Sequence, residues 1–166
     1  MTVLRIGEVA IISYNAKENE DFIKSICRKI DVKNENLSFG RFEVNDQLAL
    51  HLYGITIEQG DESLSWDLIS KKTIGYIIIF NWDDRRIFEA TKPTIDLFVN
   101  NFETSVLIIG NIKDKIDPPI PKKFFQPDGI PLSPNSRFTF CQVNNSEDAK
   151  KAMVLFVNML IEKISL

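Results

Sequence analysis

Hydrophobic positions along this chain alternate between short β-type runs and longer runs with helical spacing. Runs rich in valine, isoleucine and leucine favour extended structure, and they predict strands over 3–12, 37–44, 48–53, 74–80, 105–109 and 137–143. Apolar residues spaced three and four apart predict helices over 19–30, 84–102 and 146–164, with a short helix near 64–69. Within 84–102, Pro93 predicts a kink or the start of a second helical segment.

The order of these elements predicts an α/β fold. Alternating strands and helices are typical of a doubly wound, mostly parallel sheet with helices on both faces. Asn45-Asp46, between 37–44 and 48–53, is a hairpin signal because both residues tolerate positive φ. We therefore predict one domain over 1–166 whose sheet has six strands, five parallel and one antiparallel.

Six of the seven prolines fall in 117–134, so we expect an irregular surface segment whose Phe124 and Phe125 either pack over the sheet or anchor a partner.

Composition narrows the classes of function. Hydrophobic residues make up 44% of the 166 residues and charged residues 26%, as in soluble globular proteins. The net charge of −3 argues against a nucleic-acid-binding surface, and no apolar run is long enough to cross a membrane. A single histidine, His51, and two cysteines, Cys27 and Cys141, argue against a histidine-rich metal site or a disulfide framework. We interpret His51 as a packed or surface residue and both thiols as buried and inert, and we expect a cytoplasmic protein.

Four segments carry a resemblance to a known family. They are LSFGRFEV at 37–44, LHLYG at 50–54, SWDLISKKTIGYIIIFNWDD at 65–84 and VLIIGNIKD at 106–114. Their order and spacing cover nearly the whole chain, which resembles the Ras-like small GTPases and especially the bacterial and archaeal small GTP-binding proteins. The resemblance implies the P-loop NTPase topology, with GTP or GDP and Mg²⁺ as the family's ligands at the carboxyl ends of the strands.

The phosphate-binding loop that this family requires is degenerate here. The pattern G-x-x-x-x-G-K-[ST] uses glycines to wrap the phosphates, a lysine to offset their charge and a hydroxyl to bind Mg²⁺. Aligned on the resemblance, the pattern runs over 13–20, SYNAKENE, and contains no glycine. Ser13 and Glu18 stand at the glycine positions, Asn19 at the lysine position and Glu20 at the hydroxyl position. The changes oppose triphosphate binding, because acids compete with phosphate for a helix N-terminus.

Two further motifs of the family are retained to different extents. The motif D-x-x-G, which serves the metal and the γ-phosphate, corresponds to 54–57, GITI, and an acidic run over 58–62 follows it. The base-recognition motif N-K-x-D corresponds to 111–114 and keeps both of its ends, Asn111 and Asp114. The resemblance implies that these two residues contact guanine, whereas in an ordinary loop they would only cap turns. Both interpretations stay open at this point.

The resemblance leads to two hypotheses about function. In the first, the chain is a non-catalytic pseudo-GTPase without a cofactor or metal that acts as a protein-interaction or scaffolding module. A Roadblock-type protein or a true small GTPase is the implied partner, and the exposed strand 37–44 is an edge for its sheet. In the second, the chain is a divergent GTP-binding protein that recognises guanine through Asn111 and Asp114 and hydrolyses GTP slowly. A third alternative is a doubly wound domain unrelated to GTPases that binds another small molecule near 58–62.

Overall fold

Seven strands and three helices are found in the residues that the computed structural model describes, which are 3–34, 37–57, 72–101, 104–113 and 133–164. The strands are β1 Arg5–Ser13, β2 Ile30–Asn34, β3 Leu37–Glu43, β4 Leu48–Thr56, β5 Thr73–Asn81, β6 Ser105–Asn111 and β7 Ser136–Cys141. The helices are α1 Ala16–Ile26, α2 Arg85–Asn101 and α3 Ser146–Ile164. The predicted α/β class is confirmed. The predicted helix near 64–69 and most of 117–134, including Phe124 and Phe125, lie outside the described residues.

The strands form one mixed sheet in the order β2-β3-β4-β1-β5-β6-β7. Strand β3 is antiparallel to both β2 and β4, and the remaining neighbours are parallel to each other. The prediction of six strands is wrong because it leaves out β2. The apolar residues of β2, Ile30 and Val32, alternate over too short a stretch to stand out, and Ile30 also fits the helical spacing of the preceding segment.

The first helix begins and ends earlier than the predicted 19–30. The side chain of Asn15 caps it by accepting a hydrogen bond from the amide of Lys17, so α1 begins at Ala16. It ends at Ile26, because Cys27 adopts extended backbone with φ −110° and ψ 148° and leads the chain towards β2. The first turn of α1 therefore contains residues that the sequence pattern assigned to a phosphate loop.

The predicted hairpin is present, but it does not lie at the edge of the sheet. The turn between β3 and β4 is fixed by Asn45, whose Oδ1 accepts hydrogen bonds from the amides of Gln47 and Leu48 at 2.7 and 2.9 Å. Strand β2 pairs with the outer side of β3, since Val32 lies opposite Ser38 in the ladder. The expectation that 37–44 is a free edge is therefore wrong, and β2 is the outer strand on that side of the described sheet.

Helices lie on both faces of the sheet, as predicted. On one face α1 and α3 enclose a core in which Phe22 and Phe156 are fully buried. On the other face α2 packs against the sheet through Ile95 and Phe98. Helix α2 continues through Pro93 as one helix and not as two segments. None of the helices in the described ranges is both long enough and apolar enough to span a membrane.

Candidate functional site

The connection between β1 and α1 is a short turn in place of an extended loop. Only Tyr14 and Asn15 lie between the end of β1 and the start of α1. The hydroxyl of Ser13 donates to the carbonyl of Asn15 at 2.6 Å, and the amide of Asn15 donates back to that hydroxyl at 3.1 Å. A loop that wraps phosphates presents several backbone N–H groups to the ligand. Here the chain enters the helix at once, so the stretch predicted to be the degenerate loop is mostly helical.

Glu18 stands where the family's phosphate loop has its second glycine, and its carboxylate points into the protein. It lies in the first turn of α1 with only 6% of its surface exposed. Its Oε2 accepts a hydrogen bond from Nδ2 of Asn111 at 3.0 Å. Burial raises the pKa of Glu18 above its ordinary value, the hydrogen bond from Asn111 opposes that rise, and the nearby carboxylate of Asp21 adds to it. The structure thus brings together one residue of the predicted phosphate loop and one predicted guanine contact.

Asn111, at the carboxyl end of β6, has both ends of its side-chain amide engaged within the protein. Nδ2 donates to Glu18, and Oδ1 accepts from the amide of Val143 at 3.2 Å. Val143 belongs to the segment between β7 and α3 and is 2% exposed. Asp114, the other predicted guanine contact, lies outside the described residues. The interpretation of Asn111 and Asp114 as guanine contacts stays a prediction.

The segment between β7 and α3 is also held directly by α1. The hydroxyl of Ser25 lies 2.7 Å from the carbonyl oxygen of Val143 and 2.7 Å from that of Asp21, and these two acceptors share its single proton. The hydroxyl of Ser146, the first residue of α3, donates to the carbonyl of Ser25 at 2.8 Å. Gln142 donates its backbone amide to Asp148 Oδ2 at 3.2 Å. These hydrogen bonds join α1, the segment after β7 and the start of α3 at the carboxyl end of the sheet.

Asn19, at the predicted lysine position, points towards the sheet. It is 1% exposed, and its Nδ2 donates to the carbonyl of Ile55 in β4 at 3.1 Å. Its Oδ1 has no hydrogen-bond partner within the described ranges. Glu20, at the hydroxyl position, is half-buried. Neither Asn19 nor Glu20 carries the ammonium group that the family's lysine offers to phosphate. Lys17, the nearest lysine in sequence, is paired with Asp21 at 2.9 Å across one turn of the helix.

The stretch that corresponds to D-x-x-G continues strand β4. Gly54 lies inside the strand, opposite Ser38 of β3. A Cβ atom at Gly54 would be 2.3 Å from Ser38 Oγ and 3.2 Å from Asn19 Cβ, so helix α1 packs closely over this position. Ile57 is buried, and its amide donates to the carbonyl of Ser13 at 2.9 Å. The acidic run 58–62 lies outside the described residues.

The remaining candidate side chains lie apart from this edge. His51 is half-buried, and its ring meets Phe39 edge to face with 5.2 Å between the ring centroids. Both thiols are buried, which raises the pKa of Cys27 to about 11 and that of Cys141 to about 12. Among the side chains that the structure describes, no three of the metal-ligating types form a group able to hold an ion.

Sequence reasoning missed the contact between Glu18 and Asn111. One local signal points to it, since Asn15 followed three residues later by Glu18 is typical of a helix N-terminus. That signal would have started α1 at Ala16 and placed Glu18 in its first turn.

Comparison with known proteins adds no identity: no protein-family model matches the chain, and no curated protein matches it significantly.

Proposed function

We propose that this chain is a non-catalytic pseudo-GTPase that acts as a protein-interaction or scaffolding module in a small-GTPase-type regulatory system. The order of the strands supports a Ras-like arrangement. Strand β4, the second strand of the predicted hairpin, lies beside β1, and β5, β6 and β7 follow on the other side, but β2 covers the hairpin strand β3, which the resemblance would put at the edge of the sheet. In this proposal β2 is an addition at the edge of that arrangement.

The observation that carries the proposal is the hydrogen bond between Glu18 and Asn111 at 3.0 Å. A triphosphate at the N-terminus of α1 would meet a buried carboxylate, and its negative charge would oppose that of Glu18 where water screens little. The two-residue turn before Ala16 also lacks the backbone needed to surround phosphate oxygens. Both features of the described residues support a fold of this family that does not hold a nucleotide.

A protein partner is the second part of the proposal, with a Roadblock-type protein or a true small GTPase as the expected class. Strand β2 has the outermost position beside the hairpin, and Val32 in it is 49% exposed. A partner strand would add to this edge through main-chain hydrogen bonds. Val32→Glu should then abolish recovery of the partner from the source cell. Val154→Glu, at a 59% exposed position on α3, is the matched control, and an equal loss with both variants would contradict the assignment of the edge.

A divergent GTP-binding protein is the second candidate. It is favoured by the position of Asn111 at the carboxyl end of β6, where ligands of doubly wound folds bind. Thermal unfolding with GTP and Mg²⁺ separates the two candidates, because a ligand at 100 times its dissociation constant stabilises the fold by about 2.7 kcal/mol. The pseudo-GTPase proposal expects no shift at millimolar GTP. A clear shift that Asp114→Ala abolishes would establish the second candidate in its place.

A further inference from the structure

We infer that Glu18 is a positioning residue which, through Asn111, fixes the segment between β7 and α3 at the carboxyl end of the sheet. The inference concerns contacts within the chain. It stands whether or not the protein works as an interaction module.

Val143 is the point on which the contacts converge. Its amide donates to Asn111 Oδ1 at 3.2 Å, and its carbonyl oxygen lies 2.7 Å from the hydroxyl of Ser25, which is equally close to the carbonyl oxygen of Asp21. Both backbone groups of this buried residue therefore have a side-chain group within hydrogen-bond distance. Helix α1 supplies one of these contacts directly through Ser25 and the other indirectly through Glu18. The helix thus holds a segment 118 residues away in sequence by two routes.

Glu18 sets the orientation of the Asn111 amide. An ionised carboxylate is only an acceptor, so it requires the NH₂ end of the amide to face it. That leaves the oxygen of the amide facing the N–H of Val143, which is the orientation observed. The opposite orientation would set two donors against each other at Val143 and two acceptors against each other at Glu18. In a site from which water is largely excluded, such a mismatch is expensive.

The experiment measures hydrogen exchange of the Val143 amide by NMR in the native protein. Glu18→Ala removes the group that orients the amide, so we expect the Val143 amide to exchange faster by about tenfold, the factor that a lost hydrogen bond of ordinary net strength would give. Glu18→Gln keeps an acceptor at this position and should leave the exchange rate close to that of the wild type. Glu20→Ala, at a half-buried position in the same helix, is the control and should also leave it unchanged. Unchanged protection in Glu18→Ala, or an equal loss in Glu20→Ala, would overturn the inference.

A reciprocal pair keeps the test decisive if Glu18→Ala fails to fold. Asn111→Asp alone places two carboxylates in contact and should lower both the stability and the protection of Val143. Adding Glu18→Gln restores a donor facing a carboxylate, so the double variant should recover the protection that Asn111→Asp loses. A double variant that is no better protected than Asn111→Asp alone would show that the two side chains do not act as a unit.

Discussion

Gly54 offers the most direct test of how closely α1 packs on the hairpin. An alanine at this position would place its Cβ 2.3 Å from Ser38 Oγ, 3.1 Å from Ile23 Cδ1 and 3.2 Å from Asn19 Cβ. Contacts this short require the neighbours to move, and overpacking of this kind costs about 1–3 kcal/mol. Alanine also relieves the penalty of glycine inside a strand, which is about 0.5–1 kcal/mol. We therefore expect Gly54→Ala to lower the free energy of unfolding by about 1 kcal/mol, near the middle of the range of about 0–2.5 kcal/mol that the two effects leave.

Urea unfolding of wild type and variant, with equal m-values, measures this loss. Ser38→Ala removes the nearest clashing atom, so Gly54→Ala should cost less in that background than in the wild type. Gly54→Asp, which would restore the acid of D-x-x-G, places a carboxylate in the same space and should cost more than alanine. A Gly54→Ala variant more stable than the wild type would refute the packing argument, and so would an equal cost in the Ser38→Ala background.

Three further predictions concern the core and the titrating groups. Phe156→Ala should lower the free energy of unfolding, measured in urea, by about 3–5 kcal/mol because the ring is fully buried. Val154→Ala, on the exposed side of the same helix, should change it by less than about 0.5 kcal/mol. Similar losses in the two variants would contradict the assignment of the buried and exposed faces. Burial raises the pKa of Glu18, so the native state keeps its proton to higher pH than the unfolded chain does, and the free energy of unfolding falls as pH rises through that range. Glu18→Gln should therefore gain stability relative to the wild type as the pH rises above the ordinary carboxyl pKa of 4.5, and a constant difference would count against the buried carboxyl. With pKa values of about 11 and 12, Cys27 and Cys141 should react with a thiol reagent at neutral pH only after unfolding, and rapid labelling of the native protein would contradict their burial.

The sequence predicted the elements whose patterns are long and regular. The unbroken apolar runs of β5 and β6 and the stripe of α3 were predictable because burial on both faces, or on one face of a helix, leaves a strong periodic signal. Strand β2 was not predictable, since it is five residues long and is stabilised mainly by pairing with β3. Its presence decides which strand lies at the edge, so the expectation that 37–44 is a free edge was wrong for the same reason.

The sequence predicted that Glu18 and Asn111 lie at the carboxyl end of the sheet, but not that their side chains contact each other. Glu18 and Asn111 were each singled out by a motif, and both fall at the carboxyl end of the sheet as expected. The hydrogen bond between them joins residues 93 apart in sequence. It depends on α1 beginning at Ala16, which the cap at Asn15 determines. A shift of helix start by three residues would turn the carboxylate in a different direction, and boundaries are the part of a helix that sequence patterns define least well.

The central claim is that the groups which would meet a nucleotide are already bonded to one another. The most direct measurement follows the side-chain amide resonances of Asn111 by NMR while GTP and Mg²⁺ are added to millimolar concentration. We expect these resonances to stay unchanged, because Nδ2 and Oδ1 remain on Glu18 and Val143. Saturable shifts of the Asn111 resonances that follow the concentration of GTP would contradict the claim.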